Sequence, residues 1–165
     1  MDMGQARAWI SRWEGRRNKT YIDTQGHPTV GVGFNLDAAG ASAAIAALGL
    51  NYNQVRSGQQ SLTDAQIDAL LDGSLTTAVQ GAQGSVVNFS TQLSNDRQIV
   101  VVDMVFNLGA PKFSQFVLTI QAINNQDWAT ASQQMQQSAW YGQVGDRAKA
   151  DVAVMGGQST VADYI

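Results

Sequence analysis

Cysteine is absent from this 165-residue chain, which excludes disulfides, thiolate nucleophiles and cysteine-ligated metals together. Histidine occurs once, at His27. Paired-histidine zinc motifs are thereby removed, and a Ser-His-Asp triad would depend on a residue inside a turn-rich segment. No apolar run approaches the roughly 18 residues that a membrane-spanning helix needs. Charge is sparse: Asp, Glu, Lys and Arg make up 14% of the chain, below the usual quarter or so, and the net charge of −3 offers no basic surplus for nucleic acid. Glutamate is nearly missing as well. Of 13 acidic residues only Glu14 is a glutamate.

What remains is ordinary for a single globular domain able to bury a substantial core, with 44% apolar residues and a surface filled by Gln, Ser, Asn and Thr. The segment Met1–Gly15 carries Arg7, Arg12 and two tryptophans, without the apolar stretch of a signal peptide. The expectation is a protein made in the cytoplasm that needs another factor to release it if its substrate lies outside.

Met3, Ala6, Ile10 and Trp13 recur at helical spacing and predict a first helix ending near Glu14-Gly15. The period then changes. Tyr21-Ile22 leads into the turn cluster Thr24-Gln25-Gly26-His27-Pro28, and Val30, Val32 and Phe34 alternate with small or polar residues as a strand does. A small antiparallel hairpin or meander is expected over about 20–36. An alanine-rich helix over 38–50 and a polar loop over Asn51–Gln60 follow. Thr63-Asp64-Ala65-Gln66 has capping-box form and opens a long helix with Ile67, Leu70, Leu71, Leu75 and Val79. From Ser94 onward successive helices are predicted, one of them spanning Phe113 to Ile123, and the last stopped by Gly156-Gly157. The four tryptophans read as core anchors. The expected shape is one α+β fold of two lobes with a groove between them.

One constellation carries chemistry. Glu14 is followed nine positions on by Asp23 and six further on by Thr29, ahead of Gly31-Val32-Gly33. Two acids held apart across a cleft are what glycoside hydrolysis requires. Each residue has a plainer reading: a solvated helix-end carboxylate for Glu14, an Asx-turn for Asp23, a β-branched strand former for Thr29. Gly31 and Gly33 within a strand suggest close approach by a ligand or another backbone. No GxGxxG or βαβ unit surrounds them, so a dinucleotide site is excluded.

The order of these residues resembles the catalytic signature of phage-type lysozymes, glycoside hydrolase family 24: Glu14, eight residues, Asp23, five residues, Thr29. Tyr21–Gly26 and Thr29–Gly33 are similar to that family's β-lobe segment, Met104–Gly109 to its central buried helix, and Trp140–Gln143 with Arg147–Lys149 to its C-terminal motif. The resemblance implies a single lysozyme-like domain over 1–165, with a β lobe over about 15–62, a connecting helix over about 63–83, and a helical lobe from 1–14 and 80–165. It implies a monomeric inverting muramidase that cuts the β-1,4 bond between N-acetylmuramic acid and N-acetylglucosamine in peptidoglycan glycan strands, without metal or cofactor. Glu14 would be the general acid, and Asp23 would hold the attacking water with the Thr29 hydroxyl. Gly33, Phe106, Asn107, Thr119, Gln134 and Arg147 fall at substrate-binding positions, and Arg147 matches the arginine that pairs with the catalytic glutamate. Plainer readings are core packing for Phe106, a helix C-cap for Asn107 and a surface arginine for Arg147. Phe34 stands where some relatives carry a histidine, and the acidic balance forgoes steering to an anionic wall. Phage lysis, a tail-associated role and a secreted antibacterial effector all fit. A non-catalytic glycan- or partner-binding domain and a lytic transglycosylase are the alternatives.

Overall fold

The structure, a computed structural model, describes residues 1–165. Helices dominate, and one three-stranded antiparallel sheet completes the expected α+β class. The chain divides into two compact units, Ile10–Ser74 and Met1–Trp9 with Leu75–Ile165.

The unit Ile10–Ser74 takes the last turns of α1 (Met3–Glu14), then β1 (Arg17–Ile22), β2 (Pro28–Gly31), β3 (Phe34–Asn35), α2 (Ala41–Ala47), α3 (Tyr52–Arg56) and the first half of α4 (Asp64–Ser85). Helix α1 buries Ala6, Trp9 and Ile10, the apolar positions of one helical face. It stops because Gly15 takes a left-handed φ of 75° and closes its amide onto the Ser11 carbonyl at 3.0 Å.

Strands lie in the order β1-β2-β3, with Tyr21 opposite Thr29 and Val30 opposite Phe34. The expected continuous strand through Val30, Val32 and Phe34 is not formed. Gly31 and Gly33 adopt φ of 67° and 66°, so the chain reverses around Val32 and Phe34 returns to pair with Val30. The period-2 pattern belongs to the two arms of a hairpin. A second departure is α3, inside the expected polar loop. Asn51 caps it by accepting the Gln54 amide at 3.1 Å, and Val55 is its buried residue. A single buried side chain leaves no period to read.

The capping box at α4 is present: the Thr63 amide donates to the Gln66 side chain at 2.9 Å, and the Gln66 amide donates to the Thr63 hydroxyl at 3.3 Å. Arg16 clamps the first turns of this helix to the sheet. It donates to the Asp64 carboxylate at 3.1 Å and to Asp68 at 2.8 Å.

The second unit adds α5 (Phe89–Gln92), α6 (Asn95–Leu108), α7 (Ala110–Phe113), α8 (Val117–Asn124), α9 (Trp128–Gln136), α10 (Ala139–Val144) and α11 (Asp146–Gly156). Helix α6 is buried at every position from Gln98 to Val105, as a helix surrounded by others must be. Gly81 of α4 lets that packing close, since a Cβ there would stand 2.9 Å from side-chain carbons of Val105 and Ala110. The expected single helix from Phe113 to Ile123 is broken into α7 and α8. Phe116, at the break, has a non-helical backbone, and Val117 and Leu118 are exposed. The apolar spacing reflects rings that pack, Phe113 and Phe116 being stacked at 6.4 Å. Trp9 and Trp140 are core anchors as expected, whereas Trp13 and Trp128 are half-exposed and carry the guanidinium groups of Arg12 and Arg97 at 5.2 and 4.3 Å.

Substituting Thr63→Ala removes the hydroxyl side of the α4 capping box. We expect a loss of about 1 kcal/mol in unfolding free energy, with an unchanged urea m-value.

Candidate active site

Glu14, Asp23, Thr29 and Gly33 all lie in the unit Ile10–Ser74. Asp23 leaves β1 and forms the Asx-turn its plain reading anticipated: one carboxyl oxygen accepts the backbone amides of Gln25 and His27, each at 2.8 Å. The His27 amide first, and the Gln25 amide with it, hold the Asp23 carboxyl below its ordinary range. The turn thus keeps the group ionised and points its other oxygen toward Thr29, whose hydroxyl stands 3.4 Å away and also donates to the His27 carbonyl at 3.2 Å. That long separation leaves Thr29 and Asp23 free to share a third partner such as a water.

Glu14 reaches the same region from the end of α1. Its carboxyl packs on the β2–β3 turn, where a Cβ added to Gly33 would stand 3.0 Å from a Glu14 oxygen. The close approach anticipated at Gly33 is therefore made by the Glu14 side chain, and Gly33 shapes the site by what it lacks.

Tyr21 relates the two acids. Being opposite Thr29 in the antiparallel ladder, it projects from the same face of the sheet as that residue. Burial, then the negative charge of Glu14, push its phenol above the ordinary value; Arg17 opposes them, and Asp23 adds to the rise. One phenol thus feels both carboxylates and stays protonated. Arg17 lies over the Tyr21 ring at 4.7 Å.

The remaining candidates belong to the other unit. Thr119, buried, and Gln134, half-buried, are brought together in a groove of about 530 Å³, beside Phe116, Val117 and Leu118. Phe106 is half-buried near the end of α6. Asn107 does not cap that helix: Gly109 does, and the Asn107 side chain instead accepts the Trp140 indole N–H at 3.0 Å. Arg147 is not a surface arginine. It is 7% exposed and makes a fork to Asp103, with Nε to Oδ2 at 2.8 Å and Nη2 to Oδ1 at 2.9 Å.

Two acids that sequence reasoning passed over complete this cluster. Asp103 and Asp151 are both fully buried. Burial, then the charge of Asp103, push the Asp151 carboxyl well above its ordinary value, with Arg147 opposing. Neither Asp151 oxygen meets a donor, so a proton on Asp151 supplies the missing one, donated to Asp103. The signal for Asp103 was available: it is an acid within the apolar run Ile99–Val105.

The model of phage lysozymes matches residues 11–151, which covers most of the chain and both units. This chain belongs to the phage lysozyme family. It is similar to probable T4-type lysozyme 1 of Dictyostelium discoideum, 25% identical over 149 residues that make up 86% of this chain and 88% of that protein. It is also similar to probable T4-type lysozyme 2 of the same organism, 23% identical over 148 residues, 86% and 87% of the two chains. The match reaches Glu14, Asp23, Thr29 and Gly33, and at its far edge includes the Arg147–Asp151 pair of the buried cluster.

Two outcomes follow from this geometry. Gly33→Ala places a Cβ against the Glu14 carboxyl at a left-handed backbone position, so turnover on cell walls should fall about tenfold or more while the fold persists. Asp151 is protonated in the fold and ionised in the unfolded chain, so its contribution is present below the unfolded pKa and lost as pH rises toward the folded one. Compared with Asp151→Asn, the wild type should lose stability by up to about 1.4 kcal/mol per pH unit above roughly pH 4, read by urea unfolding at stepped pH.

Proposed function

We propose that this protein is a peptidoglycan muramidase that hydrolyses the β-1,4 bond between N-acetylmuramic acid and N-acetylglucosamine with inversion. The observation that carries the reading is the pairing of an amide-held Asp23 carboxylate with the Thr29 hydroxyl across β1 and β2, on the sheet whose turn receives the Glu14 carboxyl.

Glu14 gives its proton to the glycosidic oxygen as the bond from that oxygen to the anomeric carbon breaks. A water held by the free Asp23 oxygen and the Thr29 hydroxyl attacks the anomeric carbon from the opposite face and passes a proton to Asp23. The ionised Asp23 also stabilises the positive charge that develops on the sugar. For an inverting enzyme the two carboxyls stand about 6.5–9.5 Å apart, leaving room for the water. An Asp23 carboxyl held below the ordinary range suits this role, since it remains a base in mildly acidic medium.

Family resemblance assigns glycan contacts to Phe106, Asn107, Thr119 and Gln134. The groove lined by the last two is uncharged, which suits hydroxyl and acetamido groups. A lytic transglycosylase manages with one catalytic acid and uses no water, and would leave the Asp23–Thr29 arrangement without a task. A non-catalytic binding module would leave Glu14 without one.

Turbidity loss on purified sacculi should be strong for the wild type and drop by about 100-fold or more for Glu14→Gln. Mass spectrometry of the released fragments should show water added across the cut bond. Anhydro-muramic ends would move the protein to the transglycosylases, and a Glu14→Gln variant as active as wild type would sink the assignment of the acid.

A further inference from the structure

The chain is acidic overall, yet four of its ten Lys and Arg residues fall within Arg12–Lys19. They are not equivalent. Arg16 is committed to Asp64 and Asp68 and donates to the Asp64 carbonyl at 2.9 Å as well. Arg17 has only the Tyr21 ring beneath its guanidinium, at 4.7 Å, and no acid. Lys19, exposed on the same strand, has no acid either. Both line a groove of about 640 Å³ within the unit Ile10–Ser74, with Arg16, Tyr21 and Asp64 around them and Ile67 beside them.

This is a built arrangement. A guanidinium seated over an aromatic face is restrained by the ring yet keeps N–H groups with which it can meet a carboxylate in two parallel bonds. Arg16 ties down Asp64, the one acid lining the groove, while sharing its charge with Asp68. Two uncompensated cations therefore share one concavity, two to four residues from Tyr21 and four to six from Asp23. An anion seated here would be tied to whatever occupies the catalytic residues. On peptidoglycan, the groups that satisfy both conditions are the carboxylates of the short peptide appended to the glycan.

We propose that Arg17, seated over the Tyr21 ring, and Lys19 form a subsite for a carboxylate of the peptide attached to the substrate glycan. The proposal rests on the muramidase reading and adds to it. Local charge at this groove supplies recognition that a chain of net charge −3 cannot gain from long-range steering. Arg17 and Lys19 act on binding, not on the bond cleaved.

The test compares the full-length wild type with Arg17→Gln/Lys19→Gln. Substrates are sacculi stripped of phosphate-bearing polymers, the same sacculi with their carboxylates amidated, and peptide-free glycan strands. On stripped sacculi at low salt the variant should show a KM raised about fivefold with kcat unchanged. On amidated sacculi and on peptide-free strands the two proteins should be equal, with the same thermal midpoint throughout. Equal losses on all three substrates, a changed pH profile on peptide-free strands, no loss on any, or a loss seen only before phosphate polymers are removed would each overturn the subsite. If the wild type cuts none of them, it is the muramidase reading that fails. Co-sedimentation with stripped and amidated sacculi then decides the subsite: equal retention of wild type and variant refutes it, and weaker retention of the variant on the unamidated material alone supports it.

Discussion

The placement of the Glu14 carboxyl depends on a missing atom. Gly33 lies at a left-handed φ of 66°, and a Cβ there would come within 3.0 Å of a Glu14 oxygen. The same conformation, shared by Gly31, turns β2 back into β3. One pair of glycines thus closes the β2–β3 hairpin and clears the space into which α1 delivers its last side chain. Rotation of this turn would disturb the hairpin and the acid together.

Around that point the two acids are managed by different means. Asp23 is ordered by backbone amides of its own turn, which are the main cause of its lowered pKa. Such donors are fixed by the chain path and bring no reorganisation when charge develops on a substrate. Thr29 then adds a hydroxyl at a distance that suits a shared water better than a direct bond. The Asx-turn aspartate and the candidate water-holding aspartate are one residue, since the turn uses one carboxyl oxygen and leaves the other facing Thr29.

The second unit handles charge oppositely. Asp103, Arg147 and Asp151 are sealed from water, where each ion is costly unless neutralised by its neighbours. The Arg147 guanidinium forks onto the Asp103 carboxylate, and Asp151 keeps its proton. The result fixes the guanidinium plane of Arg147 on α11 against α6 through two parallel bonds. In a chain with so few charged residues, three committed to one buried cluster indicate that the position of Arg147 is held with care.

Much of this could be read from residue order. Helical periods located α1 and α4, the Thr63–Gln66 box marked a helix start, and Gly156-Gly157 marked a stop, because each of these signals is local and repeats within one or two turns. The Glu14, Asp23 and Thr29 spacing identified the candidate chemistry for a similar reason: all three sit within sixteen consecutive residues of one unit. Other features escaped. A hairpin and a continuous strand share period 2, so only the backbone angles at Gly31 and Gly33 told them apart. Arg147 looks like a surface residue until Asp103, 44 positions earlier, is placed against it. Tyr21 is unremarkable until the ladder sets it across from Thr29 and the fold brings Glu14 within reach of its phenol. The sequence alone determined which side chains are available and where the chain bends and coils, since these depend on neighbours along the chain. Tertiary structure decided which charges meet, which stay unpaired and which lose their water, because Coulomb energy and desolvation depend on distances in space that residue order does not contain.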